Sequence, residues 1–326
     1  MANTFYTLRG TNQRNSLLLI FVVVALLGAL GFAIGSSIAG GLAGAVFLTL
    51  IAVGLATVVS LVSYYRGDSL VLAASKARAV SEEDAPQLMN VVRELAIAAD
   101  LPMPRVYLID DSAPNAFATG RDPKHASIAV TTGLLEKLDR EELQGVIGHE
   151  LGHVGNYDIR FALLVGVLVG SVALLADLFL RWTWWSGFGG HGRSRDNRGG
   201  GGAQVVILVL AFVLAILAPI FARLVQLAVS RQREYLADAT SVEFTRNPSG
   251  LERALAKIAG DQEVLEVANR ATQHLYIVNP IKKFEERSKG LLSTHPPIIE
   301  RINRLRTLHG AQPLQSAELG ALSELD

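Results

Sequence analysis

The chain has 326 residues, with 30 basic and 30 acidic side chains and a formal net charge of zero, which gives no electrostatic reason to bind nucleic acid. Half of the residues are hydrophobic and only 18% are charged, a composition that fits a membrane protein. There is no cysteine, so disulfides and thiolate metal ligands are excluded.

Two apolar stretches open the chain, Leu17–Gly35 and Leu42–Val62, each long enough to cross a bilayer. The uncharged Ser36–Gly41 linker allows a tight hairpin, and Gly31/Gly35 and Gly40/Gly44 have the spacing for close helix contact. A soluble segment follows. Ser81-Glu82-Glu83-Asp84 predicts the start of a helix reaching about Ala99. Arg105–Ile109 reads as a strand, and Asn115–Thr119 and Ser127–Thr132 are candidates to pair with it. An exposed edge of such a sheet can take an extended peptide through backbone hydrogen bonds. Gly120–Lys124 is a turn-rich connection.

Asp139-Arg140-Glu141-Glu142 has capping-box spacing, and Leu143, Val146, Ile147 and Leu151 carry a helical repeat. On that helix lies His149-Glu150-Leu151-Gly152-His153. A helix puts residues i and i+4 on one face, so the two imidazoles can share one Zn²⁺. Glu150 is then placed as general base toward a water at the metal. The competing reading makes both histidines ordinary helix-surface residues. Gly148 and Gly152 leave room for a metal, a substrate or a partner helix.

Phe161–Leu180 and Val205–Val229 are a third and fourth apolar stretch, the latter containing Pro219 and Arg223. Asp177 and Arg223 are costly in lipid and could face protein, water or each other; alternatively Arg223 snorkels. Residues 181–203 hold Trp182, Trp184 and Trp185, which suit a membrane interface, then a glycine- and arginine-rich loop. Past it, Glu234 and Asp238 again stand at i and i+4. Glu234 can complete a His₂Glu zinc site, and Asp238 can hold the outer nitrogen of a ligand histidine. The competing reading is a solvated face with Glu234 paired to neighbouring arginines. A helix is predicted over Leu251–Ile258, and Pro296-Pro297 suits the first turn of another continuing through Leu305. His295 then stands where it could donate to the oxyanion of a scissile carbonyl, with Arg301 a second candidate; a helix-entry hydrogen bond competes for His295. Ala311–Asp326 reads as a tail.

His149–His153 followed by Glu234-Tyr235-Leu236-Ala237-Asp238-Ala239 resembles the HtpX branch of membrane-bound zinc endopeptidases, relatives of the CAAX prenyl proteases. Asn115–Gly120, Ser127–Gly133 and Ser293–Pro297 with Arg301 match as well, so the resemblance runs from about residue 15 to 310. It implies a mainly α chain with a small β-sheet (α+β), in which a zincin-like catalytic domain of gluzincin type is combined with about four transmembrane helices. It implies one Zn²⁺ per chain held by His149, His153 and Glu234, with Glu150 as catalytic base. Asn115 and Ala116 would lie near the substrate backbone; otherwise Asn115 closes a turn. Asp158 fits the family pattern and is given structural support only. The implied partners are protein or peptide substrates and the lipid bilayer, with a role in membrane-protein quality control in a bacterial inner membrane.

The expected organisation is a tail and membrane hairpin over 1–65, a first catalytic part over 66–158, and membrane helices with their loop over 159–229. A second catalytic part covers 230–310, and the tail 311–326. Arg9 and Arg14 before the first span place the N-terminus and both zinc motifs in the cytoplasm. The arginines of 181–203 run against that rule if the third and fourth stretches both cross. Two alternatives stand beside the endopeptidase. One is a CAAX-type peptidase cutting prenylated C-termini, and the other is a non-catalytic scaffold stabilised by zinc.

Overall fold

The computed structural model describes residues 5–39, 42–185, 201–261, 263, 265, 276–277 and 296–314. Most of them are helical. The elements are α1 (Phe5–Ala39), α2 (Leu42–Ala74), β1 (Arg78–Ala79), α3 (Pro86–Ala98), β2 (Arg105–Ile109), β3 (Ala116–Thr119), β4 (Ser127–Thr131) and α4 (Thr132–Lys137). Then come α5 (Arg140–Gly155), α6 (Asp158–Trp185), α7 (Gly201–Thr245), α8 (Pro248–Gly260) and α9 (Ile298–Leu308). The chain divides into two compact units. One comprises Met1–Gln13, Tyr64–Leu163 and Leu227–Asp326, and the other Arg14–Ser63 and Leu164–Gln226.

In the first unit the four strands form a mixed sheet in the order β1-β2-β4-β3. β2 and β4 are parallel with Arg105 opposite Ser127, while β3 runs antiparallel to β4 with Ala116 opposite Val130. Period-two alternation divides the side chains between two cores. Val106, Ala116, Ala118, Ile128 and Val130 join the larger core with α3, α5 and α8, and Ile109, Phe117 and Ala129 face Leu72 and Tyr276.

Helix α3 buries Leu88, Val91, Val92 and Leu95, an apolar stripe at helical spacing. Burial of side chains this size contributes roughly 1.5–3 kcal/mol each. The helix starts later than its sequence signal. Ser81 gives both its amide and its hydroxyl to Asp84 Oδ2 at 2.8 Å, closing a separate turn, and Pro86 then sets the first helical turn. The sequence pattern predicts neither β1, with two residues, nor α4, capped by Thr131 Oγ1 accepting from the Leu134 amide.

Helix α5 begins as its sequence requires. Asp139 Oδ1 accepts from the Glu142 amide at 2.8 Å, and Glu142 Oε2 accepts from the Asp139 amide at 2.9 Å. Glu142 is fully buried, and its other oxygen faces Arg253 at 3.5 Å and Lys257 at 3.3 Å from α8. One capping residue therefore also anchors α8 to α5. The glycines of α5 serve close helix packing. A Cβ on Gly145 would lie 2.5 Å from the Leu251 amide nitrogen, and one on Gly148 would lie 2.9 Å from Ser241 Oγ of α7.

In the second unit α1 buries Val23, Leu27, Leu30 and Ile34. A Cβ on Gly35 would come within 2.7 Å of Ala45 Cα and one on Gly31 within 3.4 Å of Thr49 Cα, so α1 and α2 approach closely at these glycines. Asp177 pairs with Arg181 one turn on at 2.7 Å. The side chain of Arg223 lies outside the described residues. Among the described residues no helix is long and apolar enough to cross a membrane. The 181–203 loop from residue 186 to 200 and the tail beyond 314 also lie outside the described residues.

Candidate metal centre

Helix α5 carries His149, Glu150 and His153, and α7 carries Glu234 and Asp238. The two Nε2 atoms of His149 and His153 stand 3.1 Å apart. Glu234 completes a triangle, with Oε2 at 3.7 Å from His149 Nε2 and Oε1 at 3.5 Å from His153 Nε2. Four-coordinate zinc with bonds of roughly 2.0–2.1 Å requires donors about 3.3 Å apart. The three separations bracket that edge, and two imidazoles with one carboxylate form a donor set zinc prefers. The residues fit the ion.

Each histidine is fixed from behind. His149 Nδ1 meets Asp238 Oδ1 at 2.9 Å, and His153 Nδ1 meets Asp158 Oδ2 at 3.1 Å. Both bonds leave the inner nitrogen lone pair facing the other ligands. Asp158, for which the family resemblance implies structural support only, stands against His153 as Asp238 stands against His149. The available signal was an acidic residue heading the helix after the histidine pair.

The electrostatics follow from burial and these partners. Burial lowers the His149 pKa to about 4, against the upward pull of Asp238 and with help from Arg301 and His153, so the ring is neutral and can donate its lone pair. Burial also disfavours charge on His153, but hydrogen bonds with Asp158 and Glu234 outweigh it and raise that pKa well above the ordinary value. Burial raises Asp238, yet Arg301 and His149 overcome this and hold it below the usual carboxylate range.

Glu150 is 1% exposed, and neither of its oxygens has a hydrogen-bond partner among the described residues. Burial pushes its pKa up to about 7; His153 opposes this, Glu234 adds to it, and the Ala118 amide and Arg301 pull down more weakly. A desolvated carboxylate with open acceptor sites beside a ligand triangle is suited to receive a proton.

Arg301 is fully buried and grips Asp238 with two bonds, Nε to Oδ2 at 2.9 Å and Nη2 to Oδ1 at 2.7 Å. Its Nη1 donates to the Ile277 carbonyl at 3.0 Å and lies 3.4 Å from Glu234 Oε2. These contacts engage the guanidinium with Asp238, Glu234 and the Ile277 carbonyl. His295, the first oxyanion candidate, lies outside the described residues.

β3 forms one edge of the sheet. The Asn115 carbonyl accepts from the Thr131 amide at 3.0 Å, so Asn115, Phe117 and Thr119 address β4 while Ala116 and Ala118 address the outer edge. Asn115 Oδ1 accepts from the Ala116 amide at 3.0 Å, and the Ala116 carbonyl accepts from the Ile277 amide at 3.0 Å. Both outward groups of Ala116 are thus engaged within the chain, and Asn115 closes a local turn. The outward position beside Glu150 is Ala118.

The model of peptidase family M48 matches residues 82–309, which include all the residues of the ligand triangle. A "Protease HtpX homolog" of Tropheryma whipplei (strain Twist) is 45% identical over 303 residues, 93% of this chain and 98% of the relative. Relatives of the same name from Thermoanaerobacter pseudethanolicus and Streptococcus uberis are each 42% identical, over 94% and 90% of this chain and 98% and 97% of their own lengths. The crystal structure of S. mikatae Ste24p aligns with a TM-score of 0.48 at 20% identity, covering 92% of this chain and 67% of that one, a likeness too distant to carry an argument. On the family match and the near-full-length relatives, the chain belongs to peptidase family M48 and is a zinc metalloprotease.

Proposed function

We propose that the chain is an integral-membrane endopeptidase in which His149, His153 and Glu234 hold one Zn²⁺ and Glu150 is the general base. The observation that carries this reading is the triangle of donor atoms, with edges of 3.1, 3.5 and 3.7 Å. When bound, the zinc supplies Lewis-acid polarisation of water and of the scissile carbonyl. Glu150 takes a proton from the attacking water and returns it to the leaving amine as the C–N bond breaks. A substrate strand adds to β3 at Ala118, and extends to Ala116 by displacing the Ile277 amide, with Asn115 shaping that end. His295 donates to the developing oxyanion.

The membrane assignment is supported by the second unit's surface. Phe21, Phe47, Leu50 and Leu55 are 71, 63, 66 and 60% exposed, and Val206, Val209 and Leu210 exceed half. A soluble protein rarely presents so much apolar surface to water. We place the apolar stretches Leu17–Gly35, Leu42–Val62, Phe161–Leu180 and Val205–Val229, carried by α1, α2, α6 and α7, in a bacterial inner membrane, with the catalytic parts 66–158 and 230–310 on the cytoplasmic side. Membrane or misfolded proteins are the proposed substrates. Relatives matched over nearly their whole length bear the HtpX name, which favours this reading over a prenyl-protein peptidase.

The test is metal analysis and proteolysis on detergent-purified protein, using an unfolded protein and a matched pair of prenylated and unprenylated peptides. One zinc per chain is expected, with cleavage lost on chelation, restored by zinc, and indifferent to the prenyl group. Cleavage confined to the prenylated peptide would overturn the substrate assignment.

A further inference from the structure

We propose that Arg233 is a positioning residue for the His153 ligand, acting through Asp158; this rests on the reading of His149, His153 and Glu234 as zinc ligands. The two histidines are backed by parallel chains of contacts. His149 leans on Asp238, and Asp238 is gripped by buried Arg301. His153 leans on Asp158 Oδ2, and the other oxygen, Oδ1, accepts from Arg233 Nη1. Asp158 and Arg233 are 5 and 6% exposed, so each needs the other as a partner within the protein.

The orientation of Arg233 is itself fixed. Its guanidinium carbon lies 3.6 Å from the centroid of the Phe161 ring. Phe161 follows Asp158 by three residues on α6, so ring and carboxylate share one helix face. A planar guanidinium held against that ring presents its N–H in a set direction to Asp158. Asp158 in turn keeps the proton of His153 on Nδ1 and leaves Nε2 to the metal. Arg233 immediately precedes Glu234 on α7. One turn of α7 therefore delivers the third ligand and restrains the second histidine, so loosening Arg233 frees His153 without touching any ligand.

A buried ion pair with a purely structural role would change stability and leave the metal affinity of folded protein alone. The two are separated by a double-mutant cycle on the full chain in detergent. The variants are Arg233→Ala, Arg233→Lys and Asp158→Asn, with each arginine change repeated in the Asp158→Asn background. Zinc affinity is read by competition with a chromophoric chelator, the visible spectrum of the Co²⁺-substituted protein reports ligand geometry, and thermal unfolding of metal-free protein reports folding. Arg233→Ala is expected to weaken zinc binding roughly 10–100-fold and to alter the Co²⁺ spectrum, with Arg233→Lys intermediate. In the Asp158→Asn background either change should weaken binding less than about twofold, since the route is already cut. Parent-like affinity in folded Arg233→Ala, or an equal loss in both backgrounds, would overturn the proposal. If Arg233→Ala does not fold, the same comparison with Arg233→Lys decides it. A His149→Ala/His153→Ala double variant that binds zinc like the parent would refute the ligand assignment itself.

Discussion

Glu234 Oε1 lies 3.5 Å from His153 Nε2, although the two residues sit on different helices, α7 and α5. The proposed third ligand therefore depends on packing between α5 and α7. Removing it in Glu234→Ala should lower zinc affinity far more than a change at a supporting carboxylate. Asp238→Asn keeps the side-chain shape and should weaken zinc roughly 10–100-fold. Asp238→Ala should also destabilise the fold, by about 3–5 kcal/mol, because it leaves the buried Arg301 without its main partner. Chelator competition and thermal unfolding measure the two effects separately. Parent-like zinc binding by Glu234→Ala would move the third ligand elsewhere.

The α5 glycines give a graded stability series. Alanine gains up to roughly 1 kcal/mol in helix propensity over glycine, while overpacking costs about 1–3 kcal/mol. At Gly145 the new Cβ would meet Leu251 backbone atoms at 2.5 and 2.7 Å, which cannot yield, so Gly145→Ala should be the most destabilising. Gly148→Ala meets a side-chain atom, Ser241 Oγ, at 2.9 Å and would press it off its 2.7 Å bond to the Gly145 carbonyl, so it should cost less than a backbone collision. Gly152→Ala, with contacts at 3.2–3.3 Å on the Ala237 backbone and Thr240 Cβ, should cost least of the three. Unfolding temperatures in that order support this packing; a stable Gly145→Ala would contradict it.

Substrate addition at the sheet edge is tested at Ala118, whose amide faces away from β4. Proline there removes the outward donor without breaking a ladder bond. Peptide KM should rise roughly 2–10-fold for one lost hydrogen bond, with zinc content unchanged. An unchanged KM would move substrate recognition away from β3.

The absence of cysteine makes sidedness directly measurable. A cysteine placed at the exposed Lys124 should resist a membrane-impermeant thiol reagent in intact cells, whereas one at Ser37 should react. Labelling at Lys124 would place the first catalytic part outside.

The sequence carried the local features of the site most clearly. The Asp139–Glu142 box and the i, i+4 pairs at 149/153 and 234/238 are encoded within one or two turns, and each appears where its spacing puts it. Features that depend on distant segments were harder to read. Arg301 meets Asp238 across 63 positions, and the Ile277 amide reaches Ala116 from far along the chain; periodicity says nothing about either. β1 has only two residues and owes its strand geometry to pairing with β2. Ser81–Asp84 resembled a helix start because the residues that cap helices also close isolated turns.

The most direct test of the central claim is the paired measurement of zinc content and proteolysis in Glu150→Gln. The substitution keeps the size of the side chain and all three ligands while removing the proton acceptor. One zinc per chain with near-complete loss of cleavage is predicted. Substantial cleavage by a zinc-loaded Glu150→Gln preparation would contradict the account.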